Sequence, residues 1–323
     1  MTTSHRLLPA VLGRHRPLRV LAAAMAVCAV VSVVGLVLDD RILTGAPIWA
    51  KPLKFSLSIA VYAWSLAWLI DQLPRARRTA WWLGTAVAVL LGVEQVIIVG
   101  AVLRGTTSHF NGGSPVDAAL YAVMGLAISA VWVITLVLGL MVFRRPGPDR
   151  ARTLAVRAGV VVALIGMAVA FLMTAPTGAQ IEAGGTVVGA HTVGVADGGP
   201  GLPLLGWSTV AGDLRIPHFV GMHALQGLPL LVVALELVAR RWAPLRSTAV
   251  RTRLVGVAAA GWLATTALLT VQALRGQSIV QPDGATLGAA AVVLIGVVAG
   301  VRAALRTAQP AKVAAGSPRT PAE

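Results

Sequence analysis

Charged residues are scarce in this chain. Asp, Glu, Lys and Arg make up 12% of its 323 residues, whereas an ordinary soluble domain has roughly 25%. Hydrophobic residues make up 57%, and the mean hydropathy is +0.80. This composition excludes a soluble globular protein and predicts an all-α polytopic bundle in a membrane.

Cysteine is nearly absent as well, since Cys28 is the only one. A single cysteine excludes an internal disulfide and a multi-cysteine metal cluster. Its position within an apolar run indicates a small core residue. The sequence also lacks a P-loop, a GxGxxG at a strand–helix junction, a GxSxG elbow and a CxxCH motif. These absences argue against nucleotide chemistry and covalently attached haem.

Long apolar runs are abundant, and each is near the 20 or so residues that cross a bilayer. There are eight, at residues 20–38, 55–73, 81–103, 117–143, 153–174, 218–239, 254–274 and 285–304. They predict about eight transmembrane helices over residues 20–304. The first is too long for the apolar core of a signal peptide, so we interpret it as a span. A basic tail at 1–19 and a disordered tail at 305–323 would flank the bundle.

The distribution of basic residues predicts the orientation of the spans. With eight spans, 21 of the 27 Lys and Arg residues fall on the side of both termini and six on the other. The positive-inside rule therefore makes both termini cytoplasmic. It also explains the net charge of +15 without a nucleic-acid partner, because arginines beside anionic lipid are topology signals.

One loop on the outer side is unusually long. It covers residues 177–217 and is rich in glycine. Loops of this length are usually functional or disordered. The pairs Gly184-Gly185 and Gly198-Gly199 favour a flexible cover over a folded domain.

Short matches between the two halves predict an internal 4+4 repeat. Leu-Arg-Gly ends the third run at 103–105 and the seventh at 274–276. A basic residue followed by Phe opens the second run at Lys54 and the sixth at His218. Chance similarity among Leu-rich helix ends is the competing explanation. A real repeat would favour a site at the interface of the halves.

Polar residues cluster toward the outer side, and the sixth span begins with an unusually polar stretch. Ionisable groups at membrane depth are rare and usually face an interior site. Asp213 either caps the helix, pairs with Arg215 or belongs to such a site. The candidate substrate-binding residues are Lys54, Gln95, Arg104, His109, Asn111, Asp213, Arg215, Gln226, Gln272 and Arg275.

Glu94 is the deepest of these polar groups. It precedes Arg104 by ten residues, about 15 Å along a helix, which places it near mid-bilayer. An unpaired carboxylate there would cost several kcal/mol, so Glu94 is either protonated or paired. The candidate partners are Gln272, His223 and Arg275. A buried interhelical hydrogen bond and a proton-exchanging or ligand-binding role both stay open.

The sixth span carries His218 and His223, which are five residues apart. That spacing separates them by about 140° around a helix, so they do not form the i, i+4 pair of a zinc helix. Together with His109 and His191 they could still hold a metal ion, and His223 could bind haem axially. Acid–base chemistry and purely structural roles are the alternatives.

These features favour a membrane-embedded enzyme or redox protein that acts on a lipid-soluble or extracytoplasmic small molecule. Glu94, His218 and His223 would be its acid–base or ligand groups, with a metal ion or haem as a possible cofactor. A transporter or proton-coupled permease is the first alternative, and a structural or assembly subunit is the second. Besides the bilayer, the partner would be a small molecule or a lipid; the oligomeric state is not indicated.

Two strings resemble a group of bacterial multi-pass membrane proteins that has no assigned function. They are Lys51-Pro-Leu-Lys-Phe-Ser-Leu-Ser58 and the stretch from Gly212 to Gln226, with the patterns KPxKF and GDxRxxHFxGxHxLQ. The resemblance runs from the second span to the seventh. It implies a helical protein of the bacterial cytoplasmic membrane and no particular chemistry.

Overall fold

The computed structural model describes residues 14–73, 77–144, 147 and 149–306. Most of the two predicted tails therefore lies outside the described residues. Within the described part, eight helices are long and apolar enough to cross a membrane. The chain is thus an all-α, multi-pass membrane protein, as its composition predicts.

The helices follow the predicted runs closely. Their bounds are α1 Arg16–Leu38, α2 Ala50–Asp71, α3 Arg77–Arg104, α4 Pro115–Phe143, α5 Arg150–Val169, α6 Phe171–Thr174, α7 Gly178–Ala183, α8 Arg215–Met222, α9 Ala224–Val238, α10 Thr248–Leu274 and α11 Gly284–Arg306. Two short antiparallel hairpins pair β1 (Ile42–Leu43) with β2 (Ala46–Pro47), and β3 (Thr192–Val193) with β4 (Gly212–Asp213).

The first helix starts four residues earlier than its apolar run because His15 caps it. The imidazole of His15 accepts a hydrogen bond from the Leu18 backbone N–H, and Pro17 stands in the first turn. Proline suits this position because the first backbone N–H groups of a helix have no intrahelical partner. Residues 16–19 therefore belong to the first helix.

The fifth and sixth spans are both interrupted. Span five divides at Ala170 into α5 and α6, and span six divides at His223 into α8 and α9. Carbonyls freed at such breaks need other donors, because lipid offers none. His218 Nδ1 donates to Gly166 O, His223 Nδ1 to Phe219 O, and the Trp262 indole to Val220 O. Each break is thus satisfied by a nearby side chain.

The spans pack as two groups of four. Spans one to four form the principal contacts 1–2, 2–3, 3–4 and 1–3, and spans five to eight form the corresponding contacts 5–6, 6–7, 7–8 and 5–7. The groups meet where α4 packs on α5, and one core cluster extends from Leu18 in α1 to Leu225 in α9. Each half therefore repeats the packing order of the other.

Both Leu-Arg-Gly sequences end their helices in the same way. Gly105 and Gly276 have positive φ angles of 68° and 70°. In each case the glycine N–H and the following N–H bond back to carbonyls three and five residues earlier, respectively, which is a Schellman motif. Arg104 then pairs with Asp117, and Arg275 with Asp283, each at the start of the next helix. Helix-ending chemistry explains the glycine of the match; internal duplication stays a prediction.

Candidate functional site

The centre of the candidate site is the contact between Glu94 and His109. The Schellman turn at Gly105 reverses the chain after α3, and the five residues from Arg104 to His109 can span up to about 17 Å. This is enough to return the chain to the level of Glu94. His109 Nε2 consequently lies 3.5 Å from Glu94 Oε1.

Glu94 is held in α3 with little access to solvent. Its side chain is 4% exposed, and its second oxygen, Oε2, is buried without a hydrogen-bond partner among the described residues. Buried polar atoms are almost always paired, so an unpaired carboxylate oxygen is unusual. This oxygen is available to a proton, a water molecule or a ligand.

Lys51 brings a positive charge to the same place. It lies in the first turn of α2, with its Nζ 5.9 Å from the centre of the Phe55 ring. The Phe55 ring in turn meets the His109 imidazole edge-on, with ring centres 5.3 Å apart. The opposite charges of Lys51 and Glu94 attract each other. A lysine, a carboxyl group and an imidazole are therefore grouped around Phe55.

Aromatic rings line the other side of His109. The ring of Tyr121, from α4, is centred 6.3 Å from His109 and 5.8 Å from Phe110. Its hydroxyl is buried and has no partner among the described residues. Tyr121 thus adds a second unpaired polar atom beside His109.

Residues 184–214, which we name the cover, close this end of the bundle. Gly112 N donates to Thr186 O over 2.6 Å, and Val188 N donates to Phe110 O over 3.0 Å. Within the cover, β3 pairs with β4, which joins residues 192–193 to residues 212–213. The sequence favoured a flexible cover, whereas the structure has a hydrogen-bonded one. Its glycines supply positive φ angles for tight turns, at Gly189, Gly194, Gly198 and Gly206.

The cover carries an aspartate–histidine pair. His191 Nδ1 donates to Asp197 Oδ2 over 2.6 Å, and Asp197 also accepts from the backbone of His191 and Thr192. This bond fixes the tautomer of His191 and leaves Nε2 as an acceptor. The His191 ring packs on Phe110, with centres 4.8 Å apart. The cover therefore connects to the aromatic group around His109.

Burial keeps both loop histidines neutral. Burial lowers the pKa of His109 well below its usual value, and the positive charge of Lys51 lowers it further. Burial also lowers the pKa of His191, although its hydrogen bond to Asp197 opposes this effect. Burial alone would raise the pKa of Asp197, but its hydrogen bonds to His191 and Thr192 outweigh burial and lower it. Asp197 is consequently ionised throughout the neutral range.

Acidification should loosen the cover. An exposed histidine takes up a proton near pH 6.5, whereas His109 and His191 resist protonation while buried. Below about pH 6.5 the opened state binds more protons, so the stability of the closed state falls with pH, by up to about tenfold in the opening equilibrium per pH unit for each histidine. Hydrogen exchange of the cover, measured at pH 7.5 and 5.5 and corrected for intrinsic rates, should show this increase.

The matched variant for this experiment is H191Q, which cannot titrate in that range. Its exchange should depend less on pH than that of the wild type, because one of the two linked protons is removed. Equal pH dependence in the two proteins would contradict the linkage.

Several predicted site residues have structural partners instead. Arg104 pairs with Asp117 at 2.8 Å. The Asn111 amide bonds to Thr106, Thr107 and Gly113 within its own loop. Lys54 Nζ donates to Leu205 O in the cover. Of these residues, Asn111 is the nearest in sequence to His109. Its side-chain amide is already hydrogen-bonded within the loop.

Asp213 and Arg215 form a buried pair that anchors the cover to α8. The Asp213 side chain is fully buried and accepts from the backbone N–H groups of Ser208 and Arg215 and from the Arg215 guanidinium. Arg215 also donates to Gly206 O. The helix begins at Arg215, two residues before Pro217. Of the roles that the sequence allowed for Asp213, the structure has the pair with Arg215.

Two of the three predicted glutamines connect spans, and the third bonds to the loop after its own helix. Gln95 Nε2 donates to Ser56 Oγ and Pro52 O, which joins α3 to α2. Gln226 donates to Ser65 in α2, and Gln272 donates to Ser278 O.

The partners that the sequence proposed for Glu94 are wrong. Arg275 bonds to Asp283 and Thr286, Gln272 to Ser278, and His223 to Phe219 O. The partner in the structure is His109, from the loop that follows the same helix. Gln272 and Arg275 bond to residues that follow their own helix. The periodicity of a helix predicts which side chains share a face, but it does not predict how the next loop folds back.

The histidines do not converge on a metal site. No group of three or more His, Cys, Asp or Glu residues that could hold a metal ion occurs among the described residues. His218 and His223 each use Nδ1 to bind a backbone carbonyl at a helix break. The proposed metal set of His218, His223, His109 and His191 is therefore not assembled in this structure.

The sequence prediction omitted Lys51, Tyr121 and Asp197 from the site. Lys51 carried a usable signal, since it stands at i–4 from Phe55 in the first turn of a span. Tyr121 and Asp197 gave no such signal, because their approach to the site depends on how α4 and the cover pack.

Comparison of the chain with protein-family models, with curated proteins and with solved structures finds no match. The resemblance noted from the sequence stays a prediction, and the functional argument depends on the geometry alone.

Proposed function

We propose that the chain lies in the bacterial cytoplasmic membrane with both termini in the cytoplasm and the cover outside. The distribution of arginine supports this orientation, because 21 of the 27 Lys and Arg residues fall on the side of the termini. Among them, Arg152 pairs with Glu236, and Arg251 with Asp149, at the end of the bundle opposite the cover. The site beneath the cover would then face the extracytoplasmic side.

We further propose that the protein is a membrane-embedded enzyme that acts on a small lipid-soluble or extracytoplasmic molecule. The main support is the buried side chain of Glu94, whose Oε2 has no hydrogen-bond partner among the described residues. Its other oxygen, Oε1, lies 3.5 Å from Nε2 of the neutral His109. A carboxyl group beside a neutral imidazole can give a proton to a bound molecule and take one back. Proton exchange at Glu94 is therefore the chemistry that the site supports best.

The neighbouring groups have separate roles in this proposal. Lys51 offsets the negative charge of Glu94 when the carboxyl loses its proton, because the two charges attract each other in a medium of low dielectric constant. The Tyr121 hydroxyl, which has no partner among the residues that the structure describes, donates to or accepts from the bound molecule. Phe55 and Phe110 supply apolar walls, which favours a molecule with a flat or aliphatic body and one polar group.

The polar groups deeper in the bundle favour an enzyme over a permease. Tyr62 bonds to Thr135, and Ser65 to Gln226, so these mid-span groups satisfy one another. A proton-coupled transporter needs groups that exchange protons along a path through both leaflets. The unpaired acidic oxygen of Glu94 instead lies beside His109, whose neighbour Phe110 is hydrogen-bonded to the cover, and this supports a site reached from one side.

The experiment is to identify the molecule that the site retains. Wild-type protein, E94Q and E182Q are purified into lipid nanodiscs, incubated with a cell extract and washed, and the retained compounds are identified by mass spectrometry. Glu182 is the matched control because it lies exposed on α7, on the same side as the site. Wild type and E182Q should retain one compound that E94Q retains about tenfold less, since loss of a buried hydrogen bond costs about 1–3 kcal/mol.

Two outcomes would contradict the proposal. Equal retention of every compound by E94Q and the wild type would show that Glu94 is not part of a binding site. Passage of the retained compound across proteoliposome membranes, without chemical change and only with the wild type, would indicate a permease instead.

A further inference from the structure

A second, apolar cleft lies away from Glu94 and His109, between α8, α10 and α11. Its volume is about 620 Å³, within the range of small-molecule sites, roughly 300–1,000 Å³. The lining is aliphatic except for glycine, proline, Trp262 and three polar side chains. These three are Thr265, Gln272 and Thr286.

The shape of the cleft follows from how α10 and α11 meet. A methyl group on Gly261 would clash with Val297, and one on Gly300 would clash with Val257. The two helices are therefore in close contact toward the end away from the cover, as small residues allow in membrane bundles. Beyond Gly261 they separate, and the loop with Ile279 and Pro282 closes the wide end.

The polar side chains of the cleft are already engaged with the protein. Thr265 donates to Gly261 O, Gln272 donates to Ser278 O, and Thr286 bonds to Gln277 and Arg275. A ligand therefore contacts an apolar surface whose polar groups already have hydrogen-bond partners. The cleft lies between membrane-spanning helices, where lipid supplies no hydrogen-bonding groups.

The lining and the surroundings of the cleft favour a lipid chain as its occupant. The lining is almost entirely apolar, which suits a hydrocarbon chain. Only 6% of the most apolar stretch of α11 is buried in the bundle, so lipid surrounds this helix and can enter beside it.

We infer that the cleft between α10 and α11 binds one acyl chain of a membrane phospholipid. The chain enters sideways from the bilayer and packs against Trp262, Leu269 and Val293. Arg275 and Asp283, both about half exposed at the wide end, face the headgroup. This site is independent of the function proposed for Glu94, because the two share no residue.

The test uses phosphatidylcholine that carries a photoreactive diazirine on its acyl chain. The full-length protein is reconstituted in phosphatidylcholine vesicles containing this lipid and irradiated, and the labelled peptides are mapped by mass spectrometry. Labelling should concentrate on residues 258–269 and 287–297. In A290F, which fills the cleft, it should fall to the level of the lipid-facing sides of α1 and α4.

V292F is the matched control, because Val292 is on α11 but 71% exposed and outside the cleft lining. V292F should keep the wild-type labelling. A258F fills the cleft from the opposite wall and replaces A290F if that variant does not fold by circular dichroism. Even labelling of all lipid-facing helices, cleft labelling that neither filling variant reduces, or cross-linking of the cleft to a second copy of the chain would overturn the inference.

Discussion

Glu94→Gln is expected to slow conversion of the bound molecule by about 10²- to 10⁴-fold, the usual contribution of a positioned acid or base. Glutamine has nearly the same shape and keeps a hydrogen-bonding oxygen, but it cannot exchange a proton. The site would stay assembled while its chemistry fails. Turnover is measured in nanodiscs with the compound that the wild type retains, and product formation is followed by mass spectrometry.

Two further variants make this prediction specific. E182Q removes an exposed carboxyl group on the same side of the membrane and should leave turnover unchanged. E94D keeps the carboxyl group but shortens the side chain, so it should recover part of the rate if proton exchange is the role of Glu94. Turnover by E94Q within a few-fold of the wild type would exclude that role.

Asp213→Asn is expected to destabilise the folded protein by about 3 kcal/mol, near the lower end of the range for breaking a buried ion pair. Both oxygens of Asp213 accept from donors: Oδ1 from the Arg215 backbone and side chain, and Oδ2 from Ser208 N and the Arg215 guanidinium. An asparagine places an amide donor against one of these donors in either orientation. The lower end applies because the Arg215 side chain is 26% exposed and can partly recover solvation.

The control for this variant is D283N. Asp283 also pairs with an arginine, at 2.6 Å, but its side chain is 40% exposed, so solvent compensates for the lost charge. Its oxygen toward Thr286 N remains an acceptor in asparagine. Unfolding in detergent and hydrogen exchange of residues 184–214 should change strongly in D213N and little in D283N. Equal effects would mean that burial does not set the strength of the Asp213 pair.

The fold was largely predictable because each span is a local property of the sequence. A run of apolar residues of membrane length is sufficient to predict a helix, whatever surrounds it, since lipid forces the backbone to satisfy its own hydrogen bonds. The pair between Asp213 and Arg215 was predictable for the same reason, because the two residues are only two positions apart. The breaks at Ala170 and His223 were not, because the freed carbonyls depend on side chains from other helices.

The sequence predicted Glu94 as a site residue, but it did not predict which residues contact Glu94. Glu94 was identified from its depth alone. Its contact with His109 depends on the reversal of the chain at Gly105, a turn that the Leu-Arg-Gly sequence contained without indicating where the next residues would go. The polar stretch of span six is a helix break and an anchor for the cover; it does not supply the centre of the site.

The sequence by itself determined that the chain is a bundle of eight membrane spans. It also indicated that the polar groups within the spans, which are energetically unfavourable in lipid, cluster toward one side. Hydrophobicity and charge act residue by residue, so both are evident without a structure. Only the tertiary structure decided which polar groups meet. That outcome depends on the rotation of each helix about its axis and on the course of the loops, and both are set by packing between residues far apart in the chain.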